Sequence, residues 1–160
     1  MVGTTFRPTI VPVGKAVSYA TENHVGITSV EDKVSQTEKG TIRAIVADDF
    51  PSMRQALVSC LENIPGVQVV AAAANGQEAL QRCATQTPDL VVADLLMPIM
   101  NGFQLFKELR KAYPAIRLIA VSGHSSAAIE KEAKAAGADA FIPKNSLPHA
   151  LIRTVEDLLR

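Results

Sequence analysis

Tryptophan is absent from this chain, cysteine occurs only twice, and neither sign of charge dominates. Each shortage removes a class of function. With 16 basic and 16 acidic residues the formal net charge is zero, so no bulk field draws the chain to nucleic acid or to an acidic membrane. Cys60 and Cys83 have no CxxC partner and no neighbouring histidine ligand. Both fall on apolar helical stripes, which makes them small core residues rather than metal or disulfide cysteines. No stretch approaches the about 18–20 apolar residues of a membrane span. The amino terminus lacks a charged head followed by an apolar run, so no signal peptide is visible and the cytoplasm is the default expectation.

What is present is a globular composition: 160 residues, 48% of them apolar, with ordinary glycine and proline content and no internal repeat. That is enough for one domain with a sizeable core. The pattern changes near Gly40. Residues 1–40 are rich in Thr and Ser, hold Pro8 and Pro12, and keep neither a period of 2 nor one of 3.6. They are expected to be a poorly ordered extension, or else an upstream stretch included by a wrongly chosen start codon.

From residue 41 onward, strands and helices alternate. Residues 42–47 are a short β-rich apolar run ending in Asp48-Asp49. Pro51 opens a helix with Met53, Leu57, Cys60, Leu61 and Ile64 along one face, closed by Pro65-Gly66. Residues 67–72 form the second strand. Asn75 is an N-cap with Glu78 placed as in a capping box, and Ala79, Leu80, Cys83 and Ala84 make the stripe behind it. The third strand, 89–93, ends in Asp94. A helix over 102–112 carries Phe103, Phe106 and Leu109, and Tyr113-Pro114 stops it. Then come a strand over 117–121, an Ala-rich helix over 126–136, a strand over 138–142, and a last helix burying Leu147, Leu151, Val155 and Leu158. Five apolar strands alternating with five helices predict an α/β fold, a doubly wound five-stranded parallel sheet with the flavodoxin-like order 2-1-3-4-5.

In such a sheet the functional crevice lies beyond the carboxyl ends of the strands. Strand one ends in Asp48-Asp49, strand three in Asp94 and strand four in Ser122, and Lys144 follows strand five. Strands one and three are neighbours in this order, so three carboxylates converge. Bare carboxylates repel unless a cation intervenes, and oxygen ligands with room for water suit Mg²⁺ better than zinc. Lys144 adds a positive point charge and Ser122 a hydroxyl donor. The set forms a pocket able to neutralise a transferring phosphoryl group, with one carboxylate as nucleophile. Taken singly, each of these residues is more ordinary: a turn, a helix cap or a solvated side chain. Their joint placement on one edge carries the reading. His124 and His149 are expected to face solvent.

The segment Asp94-Leu95-Leu96-Met97-Pro98-Ile99-Met100-Asn101-Gly102 resembles the phosphoacceptor signature of response-regulator receiver domains. It is joined, in order and at suitable spacing, by Asp48-Asp49, Asn75-Gly76-Gln77-Glu78-Ala79-Leu80, Ser122-Gly123 and Phe141-Ile142-Pro143-Lys144. The resemblance covers residues 41–160, the receiver expected after the extension, and it implies a role for each position. Asp94 is the phosphoacceptor. Asp48, Asp49, Asp94 and the backbone carbonyl of Leu96 hold Mg²⁺, and Lys144 pairs with Asp94 or the phosphoryl oxygen. Ser122 and Phe141 are the switch, while Leu96 and His124 gate the water that removes the phosphoryl group, with shielding by His124 expected. The implied donor is a histidine kinase or a phosphotransfer protein in a two-component phosphorelay, and many members also accept acetyl phosphate.

The expected output is a change of protein–protein contact on the face made by the fourth helix, fifth strand and fifth helix. No direct nucleic-acid or membrane binding and no enzyme activity beyond Asp94's own phosphorylation and dephosphorylation are expected. A stand-alone receiver is the first reading. The alternative is the amino-terminal part of a transcriptional regulator, which Lys144-Asn145-Ser146 and the Ala-rich fourth helix resemble. A metal-dependent phosphohydrolase is disfavoured, because those enzymes place a second Asp two residues after the nucleophile, where Leu96 stands.

Overall fold

The computed structural model describes residues 40–160, so the expected extension, Gly40 apart, lies outside the described residues. In chain order the elements are β1 (Ile42–Ala47), α1 (Pro51–Glu62), β2 (Val67–Ala73), α2 (Gly76–Gln86), β3 (Leu90–Asp94), α3 (Gly102–Ala112), β4 (Arg117–Ser122), α4 (Ala127–Ala136), β5 (Ala140–Pro143), a 3₁₀ turn at Lys144–Ser146, and α5 (His149–Leu158). All strand pairs are parallel and the order is β2-β1-β3-β4-β5, as expected from the sequence.

Successive strand residues point to opposite faces, and here each face has its own core. Ile45, Ala47, Val91, Ala93, Leu118 and Ala120 pack against α2, α3 and α4 through Ala79, Cys83, Leu105, Phe106, Leu109 and Ala133. Ala44, Val46, Leu90, Val92, Ile119 and Val121 pack against α1 and α5 through Leu57, Leu61, Leu151 and Val155. Burying each of these leucines stabilises the fold by about 2 kcal/mol relative to exposure. Both cysteines are free and buried, and burial pushes the Cys83 thiol up to about 12, which agrees with a core role.

Three details differ from the sequence reading. β5 starts two residues late, because Asp139 anchors the turn before it: its carboxylate accepts from Leu118 N at 2.8 Å and pairs with Arg110 at 3.1 Å. Ala84 is exposed and Leu158 half-buried, while Leu147 is half-buried and precedes α5, so these stripes are narrower than expected. The Asn75 side chain caps α2 by accepting from Glu78 N at 2.8 Å, but Glu78 reaches Ala74 N at 3.0 Å rather than the cap residue.

The loops at the carboxyl edge are held tightly. Asn101 and Gln104 form a full capping box on α3, with bonds of 2.9 and 3.0 Å. Gly102 N donates to Leu95 O at 3.0 Å, and a Cβ on Gly102 would run into the Asp94 carbonyl and approach Leu95 Cα to 2.8 Å. Gly76 N donates to Met100 O at 2.9 Å, and a Cβ there would sit 2.5 Å from that same oxygen. Glycine at these two positions lets the loop after β3 lie against α2 and its own strand. Gly102→Ala is expected to cost about 2 kcal/mol, the ordinary penalty of forcing bulk into a closed backbone contact. Urea unfolding checks it, and an unchanged midpoint would contradict the contact's importance.

Candidate functional site

β1 and β3 are neighbours, and their carboxyl ends bring the expected acids together. One carboxylate oxygen from each of Asp48, Asp49 and Asp94 lies within 4.8 Å of the other two. Asp48 is fully buried, Asp94 is 5% exposed, and Asp49 is open to solvent. Both buried acids are oriented by the chain itself. Phe50 N donates to Asp48 Oδ1 at 2.8 Å, and Leu96 N donates to Asp94 Oδ1 at 3.2 Å. Each is a side chain accepting from the amide two residues on, as Asp commonly does in turns.

Lys144, in the 3₁₀ turn after β5, reaches across the sheet edge. Its Nζ donates to Asp94 Oδ2 at 2.8 Å. It also comes to 2.8 Å of Asp48 Oδ2, at an angle that leaves this buried oxygen without an aligned hydrogen bond. Burial opposes the Lys144 charge, yet close contact with and attraction by Asp48 and Asp94 outweigh it and hold the ammonium above its ordinary range. Ser122, at the end of β4 and 1% exposed, accepts from His124 N at 3.1 Å, and its hydroxyl proton remains available to donate. Leu96 and His124 line one pocket of about 310 Å³ with Leu95, Phe103, Ser122, Ile129 and Glu132. His124 and His149 are exposed, as expected. Phe141 is half-buried on β5 and packs against the α2–α3–α4 core.

Two contributors were not foreseen from the sequence. Arg54, on α1, donates from Nη1 to the Asp48 carbonyl at 2.7 Å and ties the helix to the end of β1. The Gly76–Met100 contact ties two loops together. Neither has a spacing signature, because each depends on how an element approaches another. A glycine directly after the N-cap Asn75 was the only available hint.

Comparison with known proteins identifies the arrangement. The family model for the response regulator receiver domain matches residues 44–156. The chain belongs to this family. A protein-glutamate methylesterase/protein-glutamine glutaminase of Oceanobacillus iheyensis is 38% identical over 122 residues, 74% of this chain and 34% of that protein. The transcriptional regulatory protein LnrK of Bacillus subtilis is 29% identical over 71% of this chain and 52% of its own length. Among solved structures, a LuxR-family two-component response regulator from Aurantimonas sp. SI85-9A1 aligns with TM-score 0.71 and 33% identity, covering 75% of this chain and 86% of that one. The response regulator domain of Thermotoga maritima CheB aligns with TM-score 0.66 and 33% identity, covering 76% and 95%. The chain spans about a third to a half of the length of these curated relatives.

As a receiver, the domain is a phosphoacceptor module of two-component signalling, a membership that implies a histidine kinase or phosphotransfer partner. Receivers bind Mg²⁺ in an acidic pocket, and the residues here fit that ion: the donors are all oxygen, and buried Asp48 Oδ2 has no aligned hydrogen bond to satisfy it. Among the described residues no helix is long and apolar enough to cross a membrane.

Proposed function

We propose that Asp94 is the phosphoacceptor, and that the domain over 41–160 switches a protein partner when Asp94 is phosphorylated. The observation that carries this is the Asp94 carboxylate at the end of β3, clustered with two further acids and bonded to Lys144 at 2.8 Å. In the reaction, a carboxylate oxygen of Asp94 attacks the phosphorus of a phosphoimidazole. The new O–P bond forms as the P–N bond breaks, and the imidazole nitrogen leaves with the electron pair and takes up a proton. Lys144 neutralises charge on the phosphoryl oxygens and the Ser122 hydroxyl donates to one of them. Asp48, Asp49, Asp94 and the Leu96 carbonyl would hold Mg²⁺, which supplies charge neutralisation at the phosphoryl group. Leu96 and His124 flank the water's route to the phosphorus.

The chain's own chemistry is, on this reading, confined to phosphorylation and dephosphorylation of Asp94. Ser122 and Phe141 transmit the change to the α4–β5–α5 face. The relatives that share this region include methylesterase/glutaminases and a transcriptional regulatory protein, so the attached or separate output is open to both readings. Sequencing the gene past Arg160 decides between a stop codon and a linker to an output domain.

Metal binding supplies a test. The site is open, with Asp49 exposed, so Mg²⁺ is expected to bind weakly. Asp49→Ala should stabilise the metal-free fold slightly by relieving repulsion while losing the metal response. In the Asp48→Ala/Asp49→Ala double variant a calorimetric Mg²⁺ titration should be flat, and an unchanged titration would contradict the assignment.

A further inference from the structure

The three acids of the site are not equally fixed. Asp48 is fully buried, takes the Phe50 amide on Oδ1 at 2.8 Å and has Lys144 Nζ 2.8 Å from Oδ2. Asp94 is held by the Leu96 amide at 3.2 Å and by Lys144 at 2.8 Å. Asp49 is exposed, and among the described residues no hydrogen bond or ion pair holds its side chain. A carboxylate oxygen of Asp49 nevertheless lies within 4.8 Å of the other two acids. Its placement depends on the backbone that carries it.

That backbone is a short turn between β1 and α1, and its far side is weakly fastened. Phe50, the N-cap of α1, makes no side-chain capping bond and is 64% exposed. Pro51 follows it and has no amide proton to give. Arg54 closes the turn twice. Its amide donates to the Phe50 carbonyl at 2.9 Å, and its half-buried side chain reaches back from α1 to the Asp48 carbonyl at 2.7 Å. A peptide group is planar, so the bond that fixes the Asp48 carbonyl also fixes the amide and Cα of Asp49, from which its side chain departs.

We infer that Arg54 is a positioning residue for the metal site: by holding the Asp48–Asp49 peptide plane it sets where the Asp49 carboxylate meets a cation. This rests on the reading of Asp48, Asp49 and Asp94 as Mg²⁺ ligands. Arg54 has two opposed effects there. Its positive charge repels a divalent cation, while its hydrogen bond orders a ligand that no other side chain holds. The guanidinium is only half-buried, so water and salt screen its charge. Losing a group that orients a metal ligand costs about tenfold to a hundredfold in affinity. Positioning outweighs the charge.

Mg²⁺ and Ca²⁺ tell the two effects apart. Mg²⁺ demands near-ideal octahedral geometry and Ca²⁺ accepts an irregular one, so a displaced Asp49 weakens Mg²⁺ more than Ca²⁺. A change of charge acts on both ions alike. Calorimetric titrations of the full chain with each chloride salt test this in wild type, Arg54→Met and Arg54→Lys. Arg54→Met keeps the apolar stem without donor or charge. Its Mg²⁺ affinity should fall about tenfold, the lower end of that range, with Ca²⁺ affinity within about threefold of wild type. Arg54→Lys keeps the charge and a donor of shorter reach. It should recover part of the Mg²⁺ affinity while its ratio of Mg²⁺ to Ca²⁺ affinity stays below that of wild type. Tighter Mg²⁺ binding in Arg54→Met would make the role purely electrostatic and overturn the proposal. An unchanged ratio of the two affinities in Arg54→Met would leave Arg54 a fastener of α1 alone and also overturn it. If Arg54→Met does not melt cooperatively, Arg54→Lys decides, and an unchanged ratio there overturns the proposal. Wild-type protein that binds neither ion would instead sink the reading of the three acids as a metal site.

Discussion

Lys144→Ala is expected to destabilise the metal-free protein by about 3 kcal/mol, the usual scale for removing one partner of a buried ion pair. Lys144 Nζ sits 2.8 Å from both Asp48 Oδ2 and Asp94 Oδ2, and both acids are nearly or fully buried. Without the ammonium, two desolvated carboxylates face each other with no counter-charge, which is worse than leaving either alone. For a domain of this size the melting temperature should fall by roughly 10 °C. The stabilisation is complete at neutral pH: the Lys144 pKa is raised above 10.5, so its contribution is present below that value and is lost only as pH climbs through the raised one.

The same variant should respond to Mg²⁺ far more than wild type does, because the cation then replaces the missing charge without competing against it. Thermal melts with and without millimolar Mg²⁺ measure this. A Mg²⁺-induced shift no larger in Lys144→Ala than in wild type would mean that Lys144 does not share the acids with a metal.

Much of the fold was legible because local signals agreed with one another. Residues 42–47 and 102–112 were bounded correctly from an apolar run stopped by Asp48-Asp49 and a helix stopped before Tyr113-Pro114. The start of β5 was misread because Asp139 is recruited by Arg110 and Leu118, partners distant in sequence that leave no periodic trace. The Ala84 error has a simpler cause: alanine's small side chain fits core and surface alike, so its periodicity carries little weight.

The site divides the same way. Strand-end acids, Ser122 and Lys144 could be placed once the strand order was inferred, since topology fixes which ends are neighbours. Arg54 bonding to the Asp48 carbonyl could not, because it depends on the approach of α1 to β1. The left-handed conformation of Ile99 ran against the sequence, which puts a β-branched residue where a turn favours Gly or Asn. Local preference failed there, at the mouth of the site.

The most direct test of the central claim is phosphoryl labelling of wild type and Asp94→Ala with acetyl phosphate and Mg²⁺. Asp94 is the acid that combines near-complete burial, a Lys144 hydrogen bond at 2.8 Å and an amide from Leu96 at 3.2 Å. Asp48 is bonded to Phe50 N and closed off from solvent, while Asp49 lies open to it. The account predicts a single acid-stable, base-labile phosphoryl group on wild type and none above background on Asp94→Ala, with a cooperative melt showing that the variant is folded. Labelling of folded Asp94→Ala at the wild-type level would place the phosphoryl group elsewhere and contradict the account.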